Sequence, residues 1–150
     1  MMQKITPNLW FKGNADEAVY FYLSVFPDSK IISTTYYPKE GLLDFQKSFA
    51  GKPLAIYFSL AGQEFVAINA GPEFTFTEAV SFNIACKDQA EIDYYWEKLT
   101  SNGGAESQCG WCKDKYGLSW QVNPVNIESI MQKPGAWDKL MKMKKIDNAK

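Results

Sequence analysis

One segment of the chain returns, altered, halfway along. Asp16-Glu-Ala-Val-Tyr-Phe-Tyr22 comes back 74 positions later as Ala90-Glu-Ile-Asp-Tyr-Tyr-Trp96. Glu17 falls on Glu91, Ala18 on Ile92, and Phe21-Tyr22 on Tyr95-Trp96. Each copy follows an apolar run (Leu9-Trp-Phe11 or Phe82-Asn-Ile-Ala85) and a helix-starting residue, Asn14 or Asp88. Half of 150 residues is 75, so the offset fits a chain built from two similar modules. A repeat of this kind also implies a site in the surface that the halves share.

A chain of this length, 46% apolar and 15% aromatic, has the material for a full core. Sixteen basic against seventeen acidic residues leave a net charge of −1, which gives no field favouring nucleic acid or an anionic membrane. No apolar run approaches the roughly 20 residues needed to cross a bilayer, and Met1-Met-Gln-Lys-Ile-Thr-Pro7 does not read as a signal peptide. Three cysteines suit a reducing compartment, so the expected location is cytoplasmic.

The first module, about residues 1–74, reads as strand, helix and three strands. Ile5 to Phe11 is a strand, and Asn14 caps a helix of about eleven residues that stops before Pro27. Lys30 to Tyr37 is rich in β-branched and aromatic residues, and Pro38 to Lys52 is a polar connection. Pro53 to Leu60 and Glu64 to Ala70 form a hairpin about Ala61-Gly62. The second module, about residues 75–123, has a strand at Val80 to Cys86 and a helix from Asp88 to Leu99. Strands follow at Glu106 to Lys113 and Leu118 to Asn123. This copy has one strand fewer unless the stretch near Ala105 splits. A helical tail over 124–150 is broken at Pro134-Gly135 and resumes to about Lys145, with a basic edge of the kind a solvated face shows. The expectation is an α+β fold of two βαβββ-type modules forming a curved mixed sheet around a cleft. A single ferredoxin-like sheet is the competing arrangement.

Several runs resemble the vicinal oxygen chelate superfamily, which includes glyoxalase I, bleomycin-resistance proteins and extradiol dioxygenases. Within it the chain is most similar to the PhnB-like branch, which often carries the label 3-demethylubiquinone-9 3-methyltransferase. The runs are Ile5-Thr-Pro-Asn-Leu-Trp-Phe11, Asn14-Ala-Asp-Glu-Ala18, Gly62-Gln-Glu-Phe65, Gly71-Pro-Glu-Phe74, Gln108-Cys-Gly-Trp111 and Lys113-Asp-Lys-Tyr-Gly-Leu-Ser-Trp-Gln121. The resemblance implies paired modules and a homodimer, possible exchange of elements between subunits included. It also implies, in metal-using relatives, four ligands that map here to Pro7, Val66, Ser81 and Gln121. None is a normal ligand for a borderline metal, the chain has no histidine, and Glu64 is the one nearby carboxylate. The expected metal is none, and no cofactor is expected.

Cys109-Gly-Trp-Cys112 is the one string with a catalytic look. Placed in a strand, its cysteines would stand roughly 10 Å apart on opposite faces, beyond the 4.4–6.8 Å that a disulfide bridges. Asp114 reads as a turn-former. Trp120 and Phe65 occupy matching places in the two hairpins and should face the helices, leaving Gln121 and Val66 toward the cleft. A nucleotide-type methyl-donor site would need a glycine-rich turn between strand and helix, and no G-x-G is present.

What remains is a cleft expected to be lined by Leu9, Phe11, Tyr57, Ser81, Asn83, Trp111, Ser119 and Gln121. An apolar surface with a few hydroxyls and amides is typical of a small-molecule pocket. The alternative for its polar groups is that they satisfy one another. The functional expectation is a binding protein for a small, partly aromatic molecule, without catalytic metal, nucleic-acid partner or membrane. The alternatives are a metal-dependent lyase, isomerase or dioxygenase of the superfamily, and a methyltransferase.

Overall fold

Two helices with the same apolar stripe organise the chain. In α1 (Ala15–Val25), Ala18, Tyr22 and Val25 are fully buried; in α2 (Gln89–Thr100), Ile92, Trp96 and Leu99 take the same places. That spacing puts one side of each helix against a sheet. The computed structural model describes residues 3–149. The chain divides into two units, one ending at Thr75 and the other opening at Phe76.

The first unit holds β1 (Asn8–Lys12), β2 (Ser29–Tyr36), β3 (Pro53–Leu60) and β4 (Gln63–Ala70), in the order β1-β4-β3-β2. β1 runs parallel to β4, and the other pairs are antiparallel. The second unit repeats this with β5 (Ser81–Cys86), β6 (Ala105–Glu106), β7 (Trp111–Lys113) and β8 (Ser119–Pro124), in the order β5-β8-β7-β6. β5 is parallel to β8. Each unit is thus a four-stranded mixed sheet of βαβββ order with one long helix, and neither sheet is closed. No helix among the described residues is long and apolar enough to cross a membrane.

Three local expectations change. The strand expected over Glu106 to Lys113 splits into β6 and β7, because Cys109 (φ 54°) and Gly110 (φ 81°) are in the left-handed region, where extended pairing stops. Only glycine suits position 110, since a Cβ there would lie 2.9 Å from Asn123 Oδ1 and 3.1 Å from the Val122 carbonyl oxygen. The polar connection of the first unit contains a 3₁₀ turn, Asp44–Phe49, whose Phe49 ring stacks on Tyr37 with centroids 5.2 Å apart. The tail forms two short helices, α3 (Ile127–Met131) and α4 (Ala136–Met141), and does not continue helical to Lys145. Just beyond α4 the Met143 and Lys144 carbonyls accept the Cys109 and Gly110 amides at 2.7 and 2.8 Å, which draws the chain out of the helix.

The caps differ as well. Asp88 caps α2 by accepting the Glu91 amide at 2.9 Å. Asn14 occupies the matching place before α1, but its side chain makes no capping bond. Asn69, buried on β4, accepts the Ala15 amide at 3.2 Å instead, and its Nδ2 donates to the Pro53 carbonyl at 2.9 Å.

The register of the parallel pairs bears most on function. Val66 and Gln121 each stand four residues beyond a hairpin glycine, Gly62 and Gly117. Val66 is paired with Asn8, and Gln121 with Asn83, so the first strands repeat at an offset of 75. The helices begin 74 apart, at Ala15 and Gln89. Counted from the residue paired with the hairpin position, the first unit therefore takes seven positions to reach its helix, 8 to 15, and the second takes six, 83 to 89. A one-residue slip in a strand moves every side chain to the other face.

Candidate functional site

That slip corrects two of the eight residues expected to line the cleft. Leu9 and Phe11 lie on the helix side of their sheet, 5% and 2% exposed, and the Phe11 ring sits 6.4 Å from that of Tyr22 on α1. The 74-residue spacing holds for the helices, and carried into β1 it selects the wrong parity. The residues of β1 that face away from α1 are Asn8, Trp10 and Lys12. Phe65 does face the helix, stacked on Phe58 at 5.5 Å, and Phe58 in turn stacks on Tyr22.

On the sheet face turned from α1, the paired residues Asn8, Val66 and Tyr57 form one row across β1, β4 and β3. The second unit presents the equivalent row Asn83, Gln121 and Trp111 across β5, β8 and β7. Each row is thus an amide, a central residue and an aromatic ring. Asn8 escaped the sequence reading because the helix repeat pointed one residue away.

The first row borders a concavity of about 670 Å³ lined by Asn8, Ser33, Thr35, Tyr57, Glu64 and Val66, with Ile32 on the same wall. Tyr57 is 40% exposed there. Apolar rings and chains with scattered hydroxyl and amide groups suit a partly aromatic small molecule, and the volume lies within the usual range of about 300–1,000 Å³. Ser33 and Thr35 come from the edge strand β2, where only the pairing with β3 shows that they share this face.

The second row is more polar, and most of its groups bond to one another. Gln121 Nε2 donates to Ser81 Oγ at 2.9 Å, and Asn123 Nδ2 donates to Asn83 Oδ1 at 2.7 Å. Ser119, between Ser81 and Lys113 on the neighbouring strands, is fully buried, and its Oγ has no hydrogen-bond partner among the described residues. It borders a smaller cavity of about 260 Å³ with Trp111 and the Glu78–Lys113 ion pair, which holds the Glu78 carboxyl below its ordinary range.

The cysteine pair lacks the surroundings that activate a thiol. Cys109 lies in the turn and Cys112 on β7, and both are free, as is Cys86. Burial, with the Asp114 carboxylate second, pushes the Cys112 thiol up to about 12; burial, with Glu91 second, does the same to Cys86. Burial raises Cys109 as well. A reactive thiol needs the opposite shift.

Nor do the residues present fit a catalytic metal. Among the described residues no three His, Cys, Asp or Glu side chains are gathered to hold an ion. At the positions that the resemblance selects, Pro7 and Val66 offer no donor atom from a side chain, while Ser81 Oγ and the Gln121 amide bond to each other. Hydroxyl and amide groups bind such ions weakly compared with imidazole, thiolate or carboxylate.

Two modules of this topology define the class: an α+β protein with the fold of the vicinal oxygen chelate superfamily. The chain belongs to the family described as 3-demethylubiquinone-9 3-methyltransferase, whose model matches residues 3–123. Among solved structures it is 37% identical to a PhnB protein from Bacillus cereus, with 81% of this chain and 99% of that one covered at a TM-score of 0.70. A protein from Pseudomonas aeruginosa shares the fold at 18% identity, covering 82% and 98% with a TM-score of 0.65. The fosfomycin resistance protein FosX from Listeria monocytogenes, solved with Mn(II) and sulfate, does so at 16% identity, covering 88% and 100% with a TM-score of 0.57. No curated protein matches the chain.

Proposed function

We propose that the chain is a small-molecule-binding protein that works without a catalytic metal, with its ligand seated in the concavity beside Tyr57. The observation that carries this reading is the 670 Å³ hollow itself, apolar at Tyr57, Val66 and Ile32 and edged by Asn8, Ser33 and Thr35. An aromatic body would lie against Tyr57, and the hydroxyls and amide would orient its polar groups. The unspent Ser119 hydroxyl offers the polar face of the second unit a donor for a ligand as well.

The family's name is that of a methyltransferase. The strand-to-helix connections here are Gly13-Asn14 and Lys87-Asp88, neither of them the glycine-rich turn that cradles a nucleotide-type donor. The reading includes a cytoplasmic homodimer, for which sedimentation at micromolar concentration is the check.

Native mass spectrometry of the protein from its own host tests the binding site. A small-molecule adduct is expected in the parent and should be absent from Ser33→Trp, which places an indole in the hollow from an exposed edge position. An adduct retained by Ser33→Trp would remove the ligand from this concavity. Elemental analysis of protein purified without chelator should give well under one transition-metal ion per chain, and a labelled sulfonium methyl donor should not bind saturably.

A further inference from the structure

The second unit holds another concavity, of about 520 Å³. It is enclosed by the turn before α2, the end of β8, α3, α4 and the tail. Its apolar lining includes Leu140 and Ile146, 4% and 2% exposed, with Ile130 and Met143. The tail that closes it is tied down: Gln89 Nε2 donates to the Ile146 carbonyl at 2.9 Å, and Lys145 pairs with Asp93 at 2.8 Å. The hollow is therefore part of the folded unit.

Its charge is lopsided. Lys87, Lys133 and Lys139 all line it, each from a different element, against a single carboxylate, Asp147. Lys113 and Lys145 of the same unit have carboxylate partners, but the ammonium groups of Lys87, Lys133 and Lys139 have none among the described residues. In a chain with net charge −1, three unpaired cations around a mostly polar hollow with an apolar floor make a local reversal of sign. Unlike charge attracts and apolar surface seeks cover, so the complementary ligand carries both features.

We propose that this concavity is a second binding site, for a small organic anion with an apolar body, such as a medium-chain carboxylate or an aromatic sulfonate. The anionic group would sit among the three ammonium groups and the body against Ile130, Leu140, Met143 and Ile146. A recess of this size, within the range of known ligand pockets and open to solvent on one side, suits a discrete molecule.

The probe is 1-anilinonaphthalene-8-sulfonate, followed by fluorescence and displaced by decanoate. Saturable binding at one site per chain is expected. Decanoate should displace the dye, and decyltrimethylammonium, with the same apolar tail and the opposite charge, should compete at least ten-fold less well. Each of Lys87→Ala, Lys133→Ala and Lys139→Ala should weaken binding about two- to five-fold, the range for exposed ion pairs. The triple variant should lose at least ten-fold, with its circular dichroism unchanged because all three side chains are exposed. A control triple in the first unit, Lys4→Ala, Lys12→Ala and Lys52→Ala, should bind as the parent does, and so should Ser33→Trp, which separates this site from the hollow beside Tyr57. Equal competition by the cationic amphiphile would overturn the proposal. So would unchanged binding in the lysine triple, or association only with anionic phosphatidylglycerol vesicles and never with the free anions.

Discussion

The indole Nε1 of Trp120 donates to Asp114 Oδ2 at 2.9 Å, inside a core where Trp120 is 3% and Asp114 2% exposed. The other carboxylate oxygen accepts the Tyr116 and Leu118 amides at 2.8 and 3.2 Å, so one side chain both closes the hairpin turn and fixes the ring above it. The carboxylate is committed to structure, with no oxygen left over for acid–base work.

Asp114→Asn should therefore cost stability. An amide keeps one acceptor and turns a donor toward a donor, and a hydrogen bond to a charged group contributes about 1.5–3 kcal/mol net. A loss of about 2 kcal/mol is expected in urea unfolding with unchanged slope, together with a weaker near-ultraviolet signal from Trp120. Retention of the parent midpoint would show that the carboxylate is dispensable.

The start of α1 sets up a contrast between two asparagines. Asn69→Ala removes the acceptor for the Ala15 amide and the donor to Pro53, and should cost about 1–3 kcal/mol. Asn14→Ala, at the position that reads as the cap in the sequence, should stay within about 0.5 kcal/mol, because its side chain makes no capping bond. The reverse order in thermal or urea unfolding would assign the cap to Asn14.

The contrast also shows where sequence is legible and where it is not. Helix stripes such as Ile92, Trp96 and Leu99 are local patterns, and the two-module order followed from them. Asn69 lies 54 residues from the amide it serves, and no local pattern reports such a bond. Parity in the hairpins was readable from Gly62 and Gly117, which put Val66 and Gln121 on the sheet faces turned from the helices. It failed in β1 because the paired strand residues repeat at 75 and the helices at 74, and a repeat measured on the helices cannot see that difference. The three lysines of the 520 Å³ hollow are spread over 53 positions, and the fold alone gathers them.

The cysteines predict a response to alkali. Cys86 and Cys112 have folded-state values of about 12 against an ordinary 9.0. Below pH 9 both states keep the proton and the stabilisation is complete. Between 9 and 12 the unfolded chain releases protons that the folded chain retains, so stability falls as pH rises through this window. Replacing both residues by alanine lowers stability at pH 7 through lost packing but should flatten the decline above pH 9. At pH 8 a thiol reagent should label Cys109 first and reach the other two only on unfolding. Rapid labelling of all three in the folded protein would contradict their burial.

The last prediction rests on the register of β5 and β8. Ser81 and Asn83 lie two apart on the face turned from α2, and Asn83 is the direct partner of Gln121. Neighbouring strands lie about 4.7–4.9 Å apart, close enough for two longer side chains to meet at one ion. Gln121→Glu alone should leave zinc affinity at the parent's level, since one carboxylate without imidazole holds the ion weakly. Adding Ser81→His and Asn83→His supplies three ligands of the kind found in open catalytic zinc sites. Once circular dichroism shows the variant folded, competition with a chromophoric chelator should reveal one zinc bound at least a hundred-fold more tightly than by the parent chain. A control with histidine at Phe82 in place of Ser81 should show no such gain, because position 82 faces the helix. If both triples behave alike, the faces of β5 have been assigned the wrong way round, and with them the row Asn83, Gln121 and Trp111.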